Sequence, residues 1–168
     1  MYVGLLQGSW LMFNILGLRA LNNFRATTFN LLLNDPSITL YNPTIRIQTR
    51  VKKLDRVWGK MIEKKPRDIL GMRIIYDTNL INDDFMAYSI QRALERVSSL
   101  QMKKDYIITP KENGYMSLHG LIKFNEHNIE VQIRSSEMHR HAILGNSSNY
   151  HNLKTLEIRQ FKLCKEIQ

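Results

Sequence analysis

Residues 69–77, Ile-Leu-Gly-Met-Arg-Ile-Ile-Tyr-Asp, form an apolar run of strand length. Such a run belongs to a strand covered on both faces, so the chain must supply a layer on either side of it. One charge, Arg73, lies inside the run, and Asp68 stands at its entrance. Charged residues are almost never fully buried unless paired. An ion pair within the sheet is the plain explanation. The functional one is a metal-binding carboxylate at a strand end, with a guanidinium plane facing a ligand.

The segments around this strand follow from periodicity. Leu54, Val57, Trp58 and Met61 recur at helical spacing, predicting a helix over 51–64 that Pro66 stops. A second helix is predicted over 83–100, with Met86, Ile90, Ala93, Leu94, Val97 and Leu100 on one side and Asn82 or Asp83 as cap. Three strands should follow, at 104–109, 116–124 and 128–135, and helical sequence from about Glu137 onward. Lys111-Glu112-Asn113-Gly114 reads as the turn before the middle strand. Strand and helix alternate early and antiparallel-looking strands come late. The fold class is therefore α/β (α+β), a mixed, partly antiparallel sheet flanked by helices.

A chain of 168 residues with 43% apolar and 23% charged residues suits one globular domain. It holds no uninterrupted apolar run of membrane-spanning length. The single Cys164 gives no internal disulfide and fits a reducing compartment, and the five His show no zinc-ligand spacing. The N-terminal stretch has no acid before Asp35. A packed N-terminal helix is the favoured reading, with an import peptide as the lesser one. The net charge is +9, and residues 50–73 carry nine Lys and Arg against Asp55, Glu63 and Asp68, a local net of +6. Polyanion binding follows from this, but not which polyanion.

Three constellations narrow it. Lys52, Arg56 and Lys60 stand four apart on the expected helix, with Arg50 just before them; such a column is commonly a solvated face, but it has few interleaved acids and is poised for a polyphosphate. In 128–135, Ile129, Val131 and Ile133 alternate with Glu130, Gln132 and Arg134, so the polar set shares the face opposite the core. Glu130 and Asp68, on neighbouring strands, would hold Mg²⁺ against nucleotide phosphates. Tyr115, with Ser117 and His119 behind it, is either core packing or a platform for a base. Together these suit a phosphoryl or pyrophosphoryl transferase, whose protein supplies positioning and charge neutralisation.

The segments 50–60 (RVKKLDRVWGK), 68–75 (DILGMRII), 104–119 (KDYIITPKENGYMSLH), 130–134 (EVQIR) and 138–145 (MHRHAILG) resemble, in order, the synthetase domain of the RelA/SpoT family. The resemblance covers about residues 50–145, and 104–119 is its most specific part. It implies a nucleotidyltransferase-like synthetase fold and a GTP diphosphokinase that moves the β,γ-pyrophosphate of ATP to the 3′-hydroxyl of GDP or GTP with Mg²⁺, making (p)ppGpp in the stringent response. It further implies that Arg50 and Arg73 sandwich adenine and that Lys52 and Lys60 hold ATP phosphates. Asp68 would bind Mg²⁺, and Glu130 would assist the metal and activate the 3′-hydroxyl. Tyr115 would stack on guanine, with Lys104, Asn113, His119 and Gln132 on the acceptor side. The chain departs from the family at Arg56, usually Ser, at Ile143, usually Glu, and at Asn149-Tyr150, usually His-Trp.

This divides the chain into a divergent N-terminal helical segment (1–49), a synthetase core (50–150) and a C-terminal helix (151–168). No His-Asp dipeptide occurs, so no hydrolase activity is expected. The partners implied are ATP and GDP or GTP, with self-association open, no membrane, and RNA less favoured. The expected location is the cytoplasm, with organelle import the minor alternative. The rival functions are a catalytically weak remnant or fragment of a longer RelA/SpoT protein, and a basic RNA-binding module.

Overall fold

The computed structural model describes residues 2–51, 70–78, 84–125 and 127–144, with side chains from Leu16 onward. A long helix α1 (Tyr2–Asn34) and a short helix α2 (Pro36–Thr39) lead into strand β1 (Thr44–Val51). Then come β2 (Leu70–Asp77), helix α3 (Asp84–Val97), β3 (Gln101–Asp105), β4 (Leu118–Phe124), β5 (His127–Ser135) and helix α4 (Ser136–Leu144). The five strands form one sheet in the order β1-β2-β5-β4-β3. β2 and β5 run parallel, and the other three pairings are antiparallel.

The apolar run at 70–76 lies at the sheet's interior. Leu70, Met72, Ile74 and Tyr76 are all 2% exposed or less, and Gly71 and Ile75 on the opposite face are buried as well. The first set joins Ile129, Val131 and Ile133 of β5, Leu118 and Ile122 of β4, Leu21 and Phe24 of α1, and Met86, Ile90 and Leu94 of α3 in one core. α1 and α3 therefore cover one sheet face. α4 packs against β2 and β5.

Several boundaries differ from the sequence reading. Thr44–Val51 form a strand that was not expected, and Val51 ends it instead of beginning a helix; residues 52–64 lie outside those described. Its alternation of Ile45, Ile47, Thr49 and Val51 with Arg46, Gln48 and Arg50 is the signal that marks it. The strand expected at 104–109 stops at Asp105, because the Asp105 carboxylate accepts from the backbone N–H groups of Ile107 (2.9 Å) and Ile108 (3.0 Å) and bends the chain into a turn. The β-branched run 107–109 imitates a strand there. The N-terminal segment is helical to Thr39 and then enters β1, while 151–168 lies outside the described residues, as do Asn82 and Asp83. Among the described residues no helix is long and apolar enough to cross a membrane.

Asp35 locks α1, α2 and α3 together. It caps α2 by accepting from the Ser37 N–H at 3.0 Å, and it also binds the Ser37 hydroxyl and Arg96 of α3. Burial alone would raise its pKa, but the Ser37 hydrogen bonds and Arg96 outweigh that and hold it below the ordinary 3.8. A carboxyl lowered in the folded state stabilises above its unfolded pKa, and that contribution fades as pH falls through the folded value. Asp35→Ala should cost about 1–2 kcal/mol, the scale of a lost helix cap, and should flatten the acid limb of stability against pH. Denaturant titrations of both proteins from neutral to acid pH check this; equal stability with an unchanged acid limb would contradict the role given to Asp35.

Candidate functional site

The strand register writes the site as two rows across the face opposite the α1/α3 core. Gln48 pairs with Arg73, Arg73 with Gln132, Gln132 with His119, and His119 with Lys104, so one row crosses all five strands. Beside it, Arg50 pairs with Gly71 and Gly71 with Glu130. Period-two alternation aims these side chains to one face, because their neighbours Ile47, Met72, Val131 and Leu118 fill the core.

Hydrogen bonds lace the rows. Arg73 donates from Nε to Gln132 Oε1 and from Nη1 to Gln48 Oε1, each at 3.2 Å. Gln132 Nε2 reaches Glu130 Oε1 at 3.5 Å, and His119 Nδ1 stands 3.3 Å from the same oxygen. Arg50 Nη2 is 3.7 Å from Glu130 Oε2. Gly71 makes that reach available: a Cβ built on it would lie 3.2 Å from both Cγ and Nε of Arg50. Here the missing side chain leaves room for a guanidinium to lie across the sheet.

On the acceptor side, Gly114 adopts φ +76°, a left-handed angle that favours glycine. Its N–H donates to Lys111 O at 2.8 Å, and Lys111 N–H donates to Tyr115 O at 3.2 Å. Asn113 spends its side-chain oxygen on the Tyr115 N–H at 3.2 Å, so it builds the turn. This delivers Tyr115 beside His119, its hydroxyl 2.8 Å from Nε2. The ring meets Tyr106 at 5.9 Å and His119 at 5.7 Å, both edge-on, and Lys111 Nζ lies 5.2 Å from its centroid.

Glu130 is the electrostatic centre. The hydrogen bond and charge of His119, then the charge of Arg50 and the Gln132 amide, outweigh its burial and hold its pKa down to about 2, against an ordinary 4.5. It is ionised at neutral pH. His119 reaches Glu130 through Nδ1 and the Tyr115 hydroxyl through Nε2. An ordered chain thus runs from the ring of Tyr115 through His119 to the carboxylate. Such a carboxylate offers oxygen ligands to a hard cation, although no group of three or more His, Cys, Asp or Glu is gathered among the described residues.

Of the residues singled out in the sequence, Arg50, Arg73, Glu130, Gln132, His119 and Tyr115 come together here. Lys104 ends the row on β3 and is exposed. Lys52, Lys60 and Asp68 lie outside the described residues. Sequence reasoning missed Gln48, Gly71, Tyr106 and Lys111. The β1 alternation would have found Gln48, but nothing in period or spacing marks Tyr106, whose ring meets His119 at 5.3 Å.

Residues 49–155 match the model of the region found in RelA / SpoT proteins. A probable GTP diphosphokinase RSH2, chloroplastic, of Oryza sativa subsp. japonica is 37% identical over 125 residues, 70% of this chain but 16% of that protein. The bifunctional (p)ppGpp synthase/hydrolase SpoT of Escherichia coli K12 is 34% identical over 116 residues, 62% of this chain and 15% of its own. The chain thus spans about a sixth of the length of these curated relatives. Among solved structures, the small alarmone synthetase 2 from Bacillus subtilis superposes with TM-score 0.67 at 26% identity, covering 95% of this chain and 91% of that one.

If His119 holds the Glu130 carboxyl down, His119→Ala should raise its titration midpoint from about 2 toward the ordinary 4.5. Side-chain carboxyl NMR across pH 2 to 7 reads this directly. A midpoint that stays in place would assign the shift to Arg50 and Gln132 instead.

Proposed function

The chain belongs to the RelA/SpoT family, and from that premise we propose that it is a GTP/GDP pyrophosphokinase, transferring pyrophosphate from ATP to the 3′-hydroxyl of GDP or GTP to make (p)ppGpp, the alarmone of the stringent response. The observation that carries this reading is the chain Tyr115–His119–Glu130, which links an aromatic ring to an ionised carboxylate on a face otherwise rich in guanidinium groups. Further support comes from a B. subtilis relative of the same fold, whose structure is described as bound to its product pppGpp.

In this reading Tyr115 stacks on guanine, with its ring held edge-on by Tyr106 and His119 so that a base meets a fixed surface. Lys111, now over that ring, moves aside for the base, and Lys104 and Gln132 line the acceptor's path. Arg73, braced by Gln48 and Gln132, and Arg50, lying over Gly71, receive the adenine between planar guanidinium groups. Lys52 and Lys60 take the ATP phosphates. Glu130, ionised, accepts the hydrogen bond of the 3′-hydroxyl and orients its oxygen. The O3′–Pβ bond then forms as the bond from Pβ to the α,β-bridging oxygen breaks; AMP leaves, and the proton passes by way of Glu130 to water. Asp68 and Glu130 are the residues that would hold Mg²⁺, which when bound neutralises charge on the transferred phosphates. The single Cys164 supports a reducing compartment, the cytoplasm first. No hydrolase role is proposed.

Purified protein with ATP, GDP or GTP, and Mg²⁺ should yield the 3′-pyrophosphorylated guanosine nucleotide and AMP, and with Mn²⁺ should not degrade that product. Glu130→Gln and Asp68→Asn keep shape and remove charge, and each should slow synthesis by about a hundredfold or more. Absence of product at millimolar nucleotide from folded protein would favour a catalytically inactive remnant.

Tyr115→Ala should weaken GDP binding by roughly 1–3 kcal/mol, the worth of one base–aromatic stack, and leave ATP affinity nearly unchanged. Tyr115→Phe keeps the π-face and should keep most GDP affinity, although it frees His119 Nε2. Calorimetry on both nucleotides, with a melting curve, separates the outcomes. Equal loss of GDP and ATP affinity together with a lower Tm would make Tyr115 a packing residue.

A further inference from the structure

Arg134 is a buried cation without an answering carboxylate among the described residues. It is 2% exposed and its Nε has no hydrogen-bond partner. Among the described residues no carboxylate pairs with it; its favourable neighbour is the Tyr115 ring, 6.0 Å from the guanidinium carbon. The charges around it are of its own sign. Burial, then Arg73 and Arg50, pull its pKa down to about 10. His139, which α4 brings to the same place, has its own orphan, a buried Nδ1 without a partner. Burial, then Arg134, Arg73 and Arg46, drives the His139 pKa down to about 3, so this ring stays neutral and can present Nδ1–H as a donor.

A buried charge without a counter-ion is costly to fold, and a buried donor left unmade adds to that cost. Such a cost persists where a ligand supplies the missing partner. The position identifies the ligand's chemistry. Glu130, Gln132 and Arg134 are alternate residues of β5 and share its polar face, so Glu130 and Arg134 stand about 13 Å apart along the strand. A nucleoside diphosphate carries its 3′-hydroxyl on one side of the ribose and its phosphates on the other.

We propose that Arg134, backed by His139 and Arg46, is an anion subsite for the 5′-phosphates of the acceptor nucleotide, which lies along β5 with its 3′-hydroxyl at Glu130. The guanidinium donates to phosphate oxygens as a planar fork, and His139 Nδ1–H adds a further donor. Gln132 lies beneath the ribose. This placement rests on the reading of the chain as a pyrophosphokinase; the anion subsite alone does not.

The test compares wild type, Arg134→Met and Arg134→Lys by calorimetry against GDP, guanosine and inorganic pyrophosphate, with a melting curve for each protein. Met keeps an unbranched stem close to that of Arg as far as Nε and removes the charged guanidinium. In Arg134→Met, GDP affinity should fall about tenfold or more, the scale of a lost charge-assisted hydrogen bond, while guanosine affinity holds. Its Tm should stay or rise, because an unpaired buried charge has gone. Arg134→Lys, which keeps the charge and loses the fork, should bind GDP between the two. Two results would overturn the proposal: an Arg134→Met protein that keeps its preference for GDP over guanosine, or one that fails to fold or melts lower, which would make Arg134 a prop beneath Tyr115. If pyrophosphate binds in an Arg134-dependent way and GDP does not, the anion source is the free phosphate chain; the acceptor's placement along β5 falls and the pyrophosphokinase reading falls with it. If GDP affinity behaves as expected and no product forms with ATP, the subsite stands and only the activity fails.

Discussion

In the parallel pairing of β2 with β5, Arg73 faces Gln132 and Gly71 faces Glu130, and every feature of the polar face is hung on that register. A slip of one residue on β5 would turn Glu130, Gln132 and Arg134 into the core and expose Ile129, Val131 and Ile133. The apolar side prevents it, since Leu70, Met72 and Ile74 of β2 and those three residues of β5 are 2% exposed or less. Core packing on one face therefore fixes the alignment of charged groups on the other. Parallel strands need a crossover, and α3, β3 and β4 supply it between β2 and β5. That crossover also delivers Tyr106, the Lys111–Gly114 turn and Tyr115 to the rim of the same face.

The electrostatics of that face are lopsided. Among the described residues, the Glu130 carboxylate is held by a histidine and an arginine, two glutamines bind Arg73, and Arg134 has no polar partner for its Nε. Stability alone would favour an apolar residue or a matched pair at the buried position of Arg134. A face that gathers pre-oriented guanidinium groups around an acidic carboxyl suits polyphosphate chemistry, where positioning and charge neutralisation dominate. Gly71 belongs to the same design, because a Cβ there would crowd the Arg50 side chain at 3.2 Å.

Much of this was legible in the sequence where one periodicity ruled. The alternation of 128–135 announced both the core set and the polar set of β5, and the apolar run at 70–76 announced an interior strand. Local rules failed where one side chain overrides propensity. Asp105 bends the chain after β3 despite the β-branched residues that follow, whereas β1 carries a plain alternation of its own. The cluster around Tyr115 was readable only in part. Asn113, expected on the acceptor side, also closes the turn through its side-chain oxygen, and Tyr106 meets the Tyr115 and His119 rings edge-on just beyond the end of β3. Arg134 was visible on the polar face, but that it is buried, with no partner for its Nε among the described residues, is a tertiary property.

The most direct test of the account is a crystal structure of the protein with GDP, Mg²⁺ and an ATP analogue that cannot transfer its pyrophosphate. The account predicts guanine on the ring of Tyr115, the 3′-hydroxyl within hydrogen-bond distance of Glu130, and adenine between Arg50 and Arg73. A GDP bound away from this face, or on it with the 3′-hydroxyl turned from Glu130 and the ATP analogue, would contradict it.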